Sequence, residues 1–404
     1  MALSPIAHDA RVLRQIQYLS PRYDLTVIGF GPPHPSYSKS CTIDSVDLNL
    51  QEKPPIPNFR TSIRDQDFRN LHVYHHISKR VIRTINKFLL RLGTYSTSIH
   101  EAWYKRQPII HKATQKAIEA RCDAYLANDW NSLPMSAQAA RKNNAALVLD
   151  LHEYAPLQSM EGPDQNKQKR LITHTLSKYL RQVDTSITVA GPLAQRYQKE
   201  FGFDPVIIMN APEQLSCFPH TKFDNSIKLF HHGGAIRSRQ PELMIETIVR
   251  CDDRYSLHFM FLHNEYVEEL KTLAEKMAPG RVFFHDPVSP EKITQYISQF
   301  DVGFYILPPI NYNNLFALPN KFLDFICAGL PVAIGPSPSM AEVVNKYGLG
   351  VVCNTFDPED MASAINQTSS EQWAGMQQAA RKASTDLNAG IEMKKLINIF
   401  DRLL

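Results

Sequence analysis

Short apolar runs of strand length alternate with amphipathic stretches of helical period along most of this 404-residue chain. Val12, Leu13, Ile16 and Leu19 recur at helical spacing and predict a helix over 9–19. The run 24–30, stopped by Gly31-Pro32-Pro33, predicts a buried strand. A helix followed by such a strand calls for an earlier strand, yet only Met1 to Ser4 precede it, so the first strand is expected to be very short or the chain start truncated. Residues 31–72 are rich in Pro, Ser and charge and read as irregular, after which Val81, Ile82, Ile85, Phe88, Leu89 and Leu92 form the apolar stripe of a helix over 78–93. Further on, the pattern predicts helix 109–122, strand 124–127, helix 134–142, strand 145–151, helix 165–181, strand 185–189, helix 192–200 and strand 205–209.

Asn210-Ala211-Pro212 and the polar stretch to about Asn225 read as a linker, and then the alternation restarts. Strands are predicted at 227–231, 256–262, 281–284, 301–306, 330–334 and 349–352, with helices at 241–250, 264–277, 290–299, 319–328, 339–346 and 358–366. Strands that alternate with helices imply right-handed crossovers and parallel sheets. Two such runs imply an α/β protein of two doubly wound domains facing a cleft. In these sheets ligands gather beyond the carboxyl ends of the strands, which singles out the loops 128–131, 152–156, 232–240 and 307–324.

Composition narrows the class. With 43% hydrophobic residues the chain can build sizeable cores, and 44 Lys+Arg against 40 Asp+Glu leave a net charge of +4, too small to imply a nucleic-acid partner. The six cysteines are scattered without a CxxC pair, the usage of a reducing compartment. Met1 to Arg14 has no basic-then-apolar leader pattern, and no apolar run approaches the ~18–20 residues of a membrane span. These features lead us to expect a soluble, cytoplasmic protein.

Two segments carry candidate chemistry. In His231-His232-Gly233-Gly234-Ala235-Ile236-Arg237-Ser238-Arg239, paired glycines allow a phosphate to approach the backbone, a following helix N-terminus favours an anion, and Arg239 can fork onto phosphate oxygens. The stretch is neither GxGxxG nor a P-loop, and a Gly-Gly turn before a helix also occurs without any ligand. In Leu318-Pro319-Asn320-Lys321-Phe322-Leu323-Asp324, Lys321 and Asp324 share one helical face. They could meet a phosphate and a sugar hydroxyl respectively, or form an ordinary surface ion pair.

In order and spacing these segments, with FDVGFYILPP and LPNKFLDFICAGLPVAI, resemble the nucleotide-sugar-binding half of GT-B-fold glycosyltransferases of family 4, the group 1 type. The stretches 8–14, 128–134 and 149–153 resemble that family's strand ends in the other half. Asp324 falls where the second Glu of the family's Glu-x7-Glu motif belongs, whereas Phe316 occupies the place of the first, so half of the motif is missing. The resemblance implies transfer of a hexose-like sugar from a nucleoside diphosphate sugar (UDP-, GDP- or another base) to an acceptor hydroxyl, with retention, without a metal and with no further cofactor. It implies donor binding by Gly233, Gly234, Arg239, Asn320, Lys321 and Asp324. His152 would lie against the transferred sugar, with Asp129 and Glu153 as candidates for acceptor contact or general base.

The resemblance further implies an acceptor domain over 1–208, a donor domain over 209–385 and a last helix over 386–404 that crosses back to the first. A sugar or lipid-linked acceptor in polysaccharide or glycolipid assembly is expected. The basic stripe 79–91 reads either as a helix lying on an anionic membrane, making the protein peripheral to its inner face, or as a solvated face. Asp65-Gln66-Asp67 imitates a metal motif by chance, and His75-His76 and His231-His232 lack the i, i+4 spacing and third ligand of a metal site. A nucleotide-sugar epimerase, or a binding and scaffold protein on the same fold with weak catalysis, are the alternatives.

Overall fold

The computed structural model describes residues 1–31, 42–46, 96–158, 165–219, 223 and 226–404. The basic helix predicted at 78–93, Asp65-Gln66-Asp67 and His75-His76 lie outside the described residues. The chain forms two compact units, one of Met1–Thr188, Tyr197–Val206 and Ile397–Leu404, the other of Val189–Arg196 and Ile207–Leu396.

In the first unit β1 (Thr26–Phe30) pairs in parallel with β2 (Thr42–Val46), and β3 (Ala124–Asn128), β4 (Ala146–Leu151), β5 (Thr185–Thr188) and β6 (Val206–Ile207) follow in that order in a second sheet. Where a first strand was expected, Met1–Pro5 makes two isolated parallel bridges, Ala2 with Asn128 and Pro5 with Phe30. Strand β2 corrects the expectation of an irregular 31–72. Its sequence TIDSV carries only two apolar residues, and backbone pairing with the largely buried β1 decides its conformation. Strand β4 is buried along nearly its whole length, as a central parallel strand must be, and delivers Asp150 to its carboxyl end. The terminal residues join this unit through Asp401, which pairs with Arg22 at 2.8 Å and accepts a hydrogen bond from Tyr23.

The second unit carries a six-stranded parallel sheet made of β7 (Ile227–Gly234), β8 (Tyr255–Leu262), β9 (Val282–His285), β10 (Val302–Tyr305), β11 (Val332–Ile334) and β12 (Gly350–Val352). Their spatial order is β12-β11-β10-β7-β8-β9. The chain therefore starts in the middle, winds outward to β9 and returns to β10 on the other side of β7. That reversal opens a crevice at the carboxyl ends of β7 and β10, where doubly wound sheets hold ligands.

Three details of this unit differ from expectation. Gly233 and Gly234 belong to β7 rather than to a loop, because the apolar run of β8 extends the ladder to Phe261 and Leu262 opposite them. Arg239 does not open the following helix. It ends a 3-10 turn, Arg237–Arg239, closed by Gln240 in the left-handed region at φ 49°, and the helix starts only at Glu242. A helix at Ser370–Ala383, unforeseen because its sequence is mostly polar, is nucleated by a capping box between Ser369 and Gln372 and anchored by the fully buried Trp373.

Candidate functional site

The chemistry of the second unit gathers at the crevice beside β7. The helix Asn320–Cys327 is drawn close to the sheet by Gly303 on β10, where an added Cβ would lie 2.3 Å from Phe325. This packing buries both Lys321 and Asp324, so they are not a surface ion pair. Lys321 Nζ lies 3.0 Å from His231 Nε2 and 4.8 Å from the centre of the Tyr305 ring. It also lies 3.0 Å from the place a Cβ would take on Gly233, whose φ is +120°. The period of a strand puts His231 and Gly233 on one face and His232 on the other, and His232 Nε2 meets Asp324 Oδ2 at 3.4 Å.

Electrically this is a place where positive charge is crowded. Burial first, and then Arg239, lower the Lys321 pKa to about 7, with Asp324 pulling the other way. Burial and then Lys321 hold His231 well below its ordinary value, and the same two causes lower His232 to about 3, so both rings are neutral. Arg239 is half-buried, and its charge acts on Lys321, His231 and Tyr305 together. Among the predicted donor residues, Gly233 thus touches Lys321, and Arg239 and Asp324 act on Lys321 through their charges. Asn320 is exposed and accepts a 2.8 Å hydrogen bond from Asn210. Phe316, in the place of an expected carboxylate, ends the short helix Tyr312–Leu315, sets its ring 4.8 Å from that of Tyr312 at a tilt of 54° and accepts a hydrogen bond from Ser339 through its carbonyl.

The first unit holds a different cluster. Asp9 caps the helix Ala10–Leu19 by accepting from the backbone of Arg11 and Val12. The four-residue spacing then turns Arg11 and Gln15 toward the same buried place. Arg11 grips Asp150 with two bonds of 2.7 and 2.9 Å, and Gln15 donates to Asp150 at 2.7 Å and to Asn128 at 3.0 Å. His152, two residues beyond Asp150, places Nε2 3.6 Å from Asp150 and Nδ1 3.4 Å from Asp129. Asp129 sits at φ 63°, a left-handed conformation that Asp tolerates, and also accepts from the His152 backbone at 3.3 Å.

Burial disfavours a charged His152 ring, but Asp129 and then Asp150 outweigh it and raise its pKa to about 9. Although burial opposes its charge, Arg11 and then His152 hold Asp150 well below the usual carboxylate range. Of the three predicted residues, His152 and Asp129 are therefore brought together as a pair, and Glu153 lies exposed on the next turn. The residues missed by sequence reasoning are Arg11, Gln15 and Asp150 here, and His231 in the other unit. Their signals were the i, i+4 pair Arg11/Gln15 and the i, i+2 pair His231/Gly233.

A family model described as glucosyltransferase 3-like, C-terminal domain, matches residues 308–399. No curated protein matches the chain in sequence. Among solved structures, HepE from Anabaena, determined with UDP-glucose, is 14% identical over 100% of this chain and 98% of its own, with a TM-score of 0.66. A glycosyltransferase from Rickettsia africae is 10% identical over 99% of this chain and 96% of its own, with a TM-score of 0.63. Sucrose-phosphate synthase from Thermosynechococcus elongatus is 16% identical over 74% of this chain and 79% of its own, at 0.57. The fold is α/β of the GT-B architecture, with two Rossmann-like units. Among the described residues, no helix is long and apolar enough to cross a membrane.

Proposed function

We propose that this protein is a glycosyltransferase that moves a sugar from a UDP-sugar to an acceptor hydroxyl. The observation that carries the proposal is the convergence of Lys321, Arg239 and the Gly233 backbone at the crevice beyond β7 and β10. When the bond between the sugar carbon and the diphosphate oxygen breaks, negative charge grows on the diphosphate. Arg239, and Lys321 in its protonated form, stabilise that charge from positions already set by the fold. Asp324, beside the neutral His232, is an acceptor for hydroxyl groups of the donor. His152, protonated at neutral pH, is a hydrogen-bond donor to a sugar hydroxyl rather than a base, and Asp129 is the residue that orients it.

The two basic side chains at the donor site, Lys321 and Arg239, support a reaction without a divalent metal, so EDTA should leave the rate unchanged, and retention at the anomeric carbon is proposed from the family resemblance. The acceptor is proposed to be a sugar or a lipid-linked hydroxyl in polysaccharide or glycolipid assembly. The basic pattern at 79–91 supports peripheral contact with an anionic membrane, to be tested by sedimentation with anionic liposomes at low salt. Choice of UDP over other bases comes from the likeness to HepE, determined with UDP-glucose.

The test is a thermal-shift screen against UDP, GDP, ADP, TDP and their sugar conjugates, followed by a transfer assay with the sugar that binds. A shift with UDP-sugars that is lost in Arg239→Ala supports the reading, and no shift with any nucleotide sinks it. Phe316 in place of the expected carboxylate favours a second reading, a nucleotide-binding scaffold with weak catalysis. Nucleotide binding without transfer, hydrolysis or epimerisation of the sugar would select it.

A further inference from the structure

His231 is a buried titratable group beside Lys321 to which the reaction above gives no work. Its Nδ1 lies 3.0 Å from the carbonyl oxygen of Phe304 on β10, a group that can only accept. The ring proton is therefore on Nδ1, donated to that carbonyl. A neutral ring with its proton on Nδ1 presents a lone pair at Nε2, and this lone pair faces Lys321 Nζ at 3.0 Å. The bond direction follows: the lysine donates and the histidine accepts.

We propose that His231 is a positioning residue for the donor site, whose Nε2 holds the amine of Lys321 beneath Gly233 so that the lysine takes up a proton as the diphosphate binds. The idea rests on the glycosyltransferase reading and adds a proton-coupled step to it. The groups facing Lys321 are His231 and His232 from β7, Arg239 from the turn after it, Tyr305 from β10 and Asp324 from its own helix. Its hydrogen-bond partner is a neutral ring, and one neighbour is a second cation. Burial beside Arg239 leaves Lys321 near half-protonated at neutral pH. A diphosphate placed against it reverses that balance, since an adjacent anion favours the charged amine. The neutral histidine suits this task because its lone pair accepts from the amine and, more strongly, from the ammonium, and so keeps Nζ in place in both states.

The experiment is calorimetric titration of the full chain with UDP at pH 8 in two buffers of different ionisation enthalpy. At that pH the terminal phosphate of UDP is fully ionised and contributes no proton of its own. We expect uptake of about one proton per UDP, and a dissociation constant that rises about tenfold per pH unit from 8 to 9. Lys321→Gln should bind more weakly and lose both the uptake and the pH slope. His231→Leu should weaken binding about tenfold, the size of one lost hydrogen bond to a charged group. His231→Gln, which keeps an acceptor at the reach of Nε2, should bind within about threefold of the parent. Thermal unfolding of each variant confirms that it is folded. Tight UDP binding without proton uptake, or His231→Gln no better than His231→Leu, overturns the inference and leaves the glycosyltransferase reading standing. Failure of the parent to bind any nucleotide overturns both.

Discussion

The two clusters are built from similar residues and balanced in opposite ways. In the first unit each positive group is matched: Arg11 by Asp150, and His152 by Asp129 and Asp150. In the second unit Lys321 and Arg239 crowd one spot, two histidines are held neutral, and Asp324 is the carboxylate that faces the cluster. The matched cluster is stable as it stands. The unmatched one holds buried positive charge that becomes fully favourable only when an anion arrives. Stability should therefore depend most on the first, and ligand affinity on the second.

The sharpest test removes one partner from the matched cluster. Asp150→Asn leaves the Arg11 guanidinium buried against a neutral amide, and breaking such a pair costs about 3–5 kcal/mol. We expect the unfolding free energy from denaturant titration to fall by that amount. A loss below about 1 kcal/mol would show that the network tolerates an uncompensated cation and would remove the contrast.

The complementary change is Lys321→Met, which keeps the volume and deletes the charge. Since the lysine is buried with its charge suppressed, stability should hold or rise slightly. Transfer should fall about 10²–10³-fold, the usual loss when one group that stabilises transition-state charge is removed. A variant that unfolds but transfers normally once stabilised would invert the assignment of roles.

His152 sharpens the comparison through pH. Its folded pKa of about 9 lies above the ordinary histidine value. The stabilisation it provides is therefore fully present below pH ~6.5 and is lost as pH rises through about 9, on the order of 3 kcal/mol in total. His152→Gln should lack that slope in stability-against-pH curves. Parallel curves for the two proteins would place the charge elsewhere.

The architecture was largely legible, because alternating apolar runs and amphipathic helices are written in residue types. Asp24–Phe30 and Ala145–Leu151 are apolar runs of strand length, the first stopped by Gly31-Pro32-Pro33, and Leu318–Val332 reads as a helix passing into a strand. What pairing and long-range packing decide was not legible. Strand Thr42–Val46 is fixed by its neighbour, and the glycines 233 and 234 are held in a strand by the length of β8. The site followed the same rule. Lys321 and Asp324 could be named from spacing, but whether they were exposed depended on Gly303 admitting Phe325, a contact between residues 22 apart in the chain. His231 and Asp150 were passed over for a related reason. The histidine pair was weighed only as a metal site and set aside, and a strand-end aspartate gains meaning only with Arg11 from 139 residues away.

The smallest expected effect tests how closely the lysine is seated. A Cβ on Gly233 would stand 3.0 Å from Nζ and 3.3 Å from Cε of Lys321, at a φ of +120° that residues with a side chain rarely adopt. The neighbour is the far end of a flexible side chain, so the clash is relieved by moving Nζ rather than the sheet. The backbone strain remains, at about 1–3 kcal/mol. Gly233→Ala should therefore stay folded, lose stability in that range, and bind UDP about tenfold more weakly because the amine is pushed off its place beside His231. Gly234→Ala provides the control. Its added Cβ would meet only the Ile236 side chain at 3.7 Å and beyond, with no left-handed φ to strain, so affinity should stay within about twofold of the parent. Equal losses in the two variants would mean that the strand end, and not the seat of Lys321, sets the affinity.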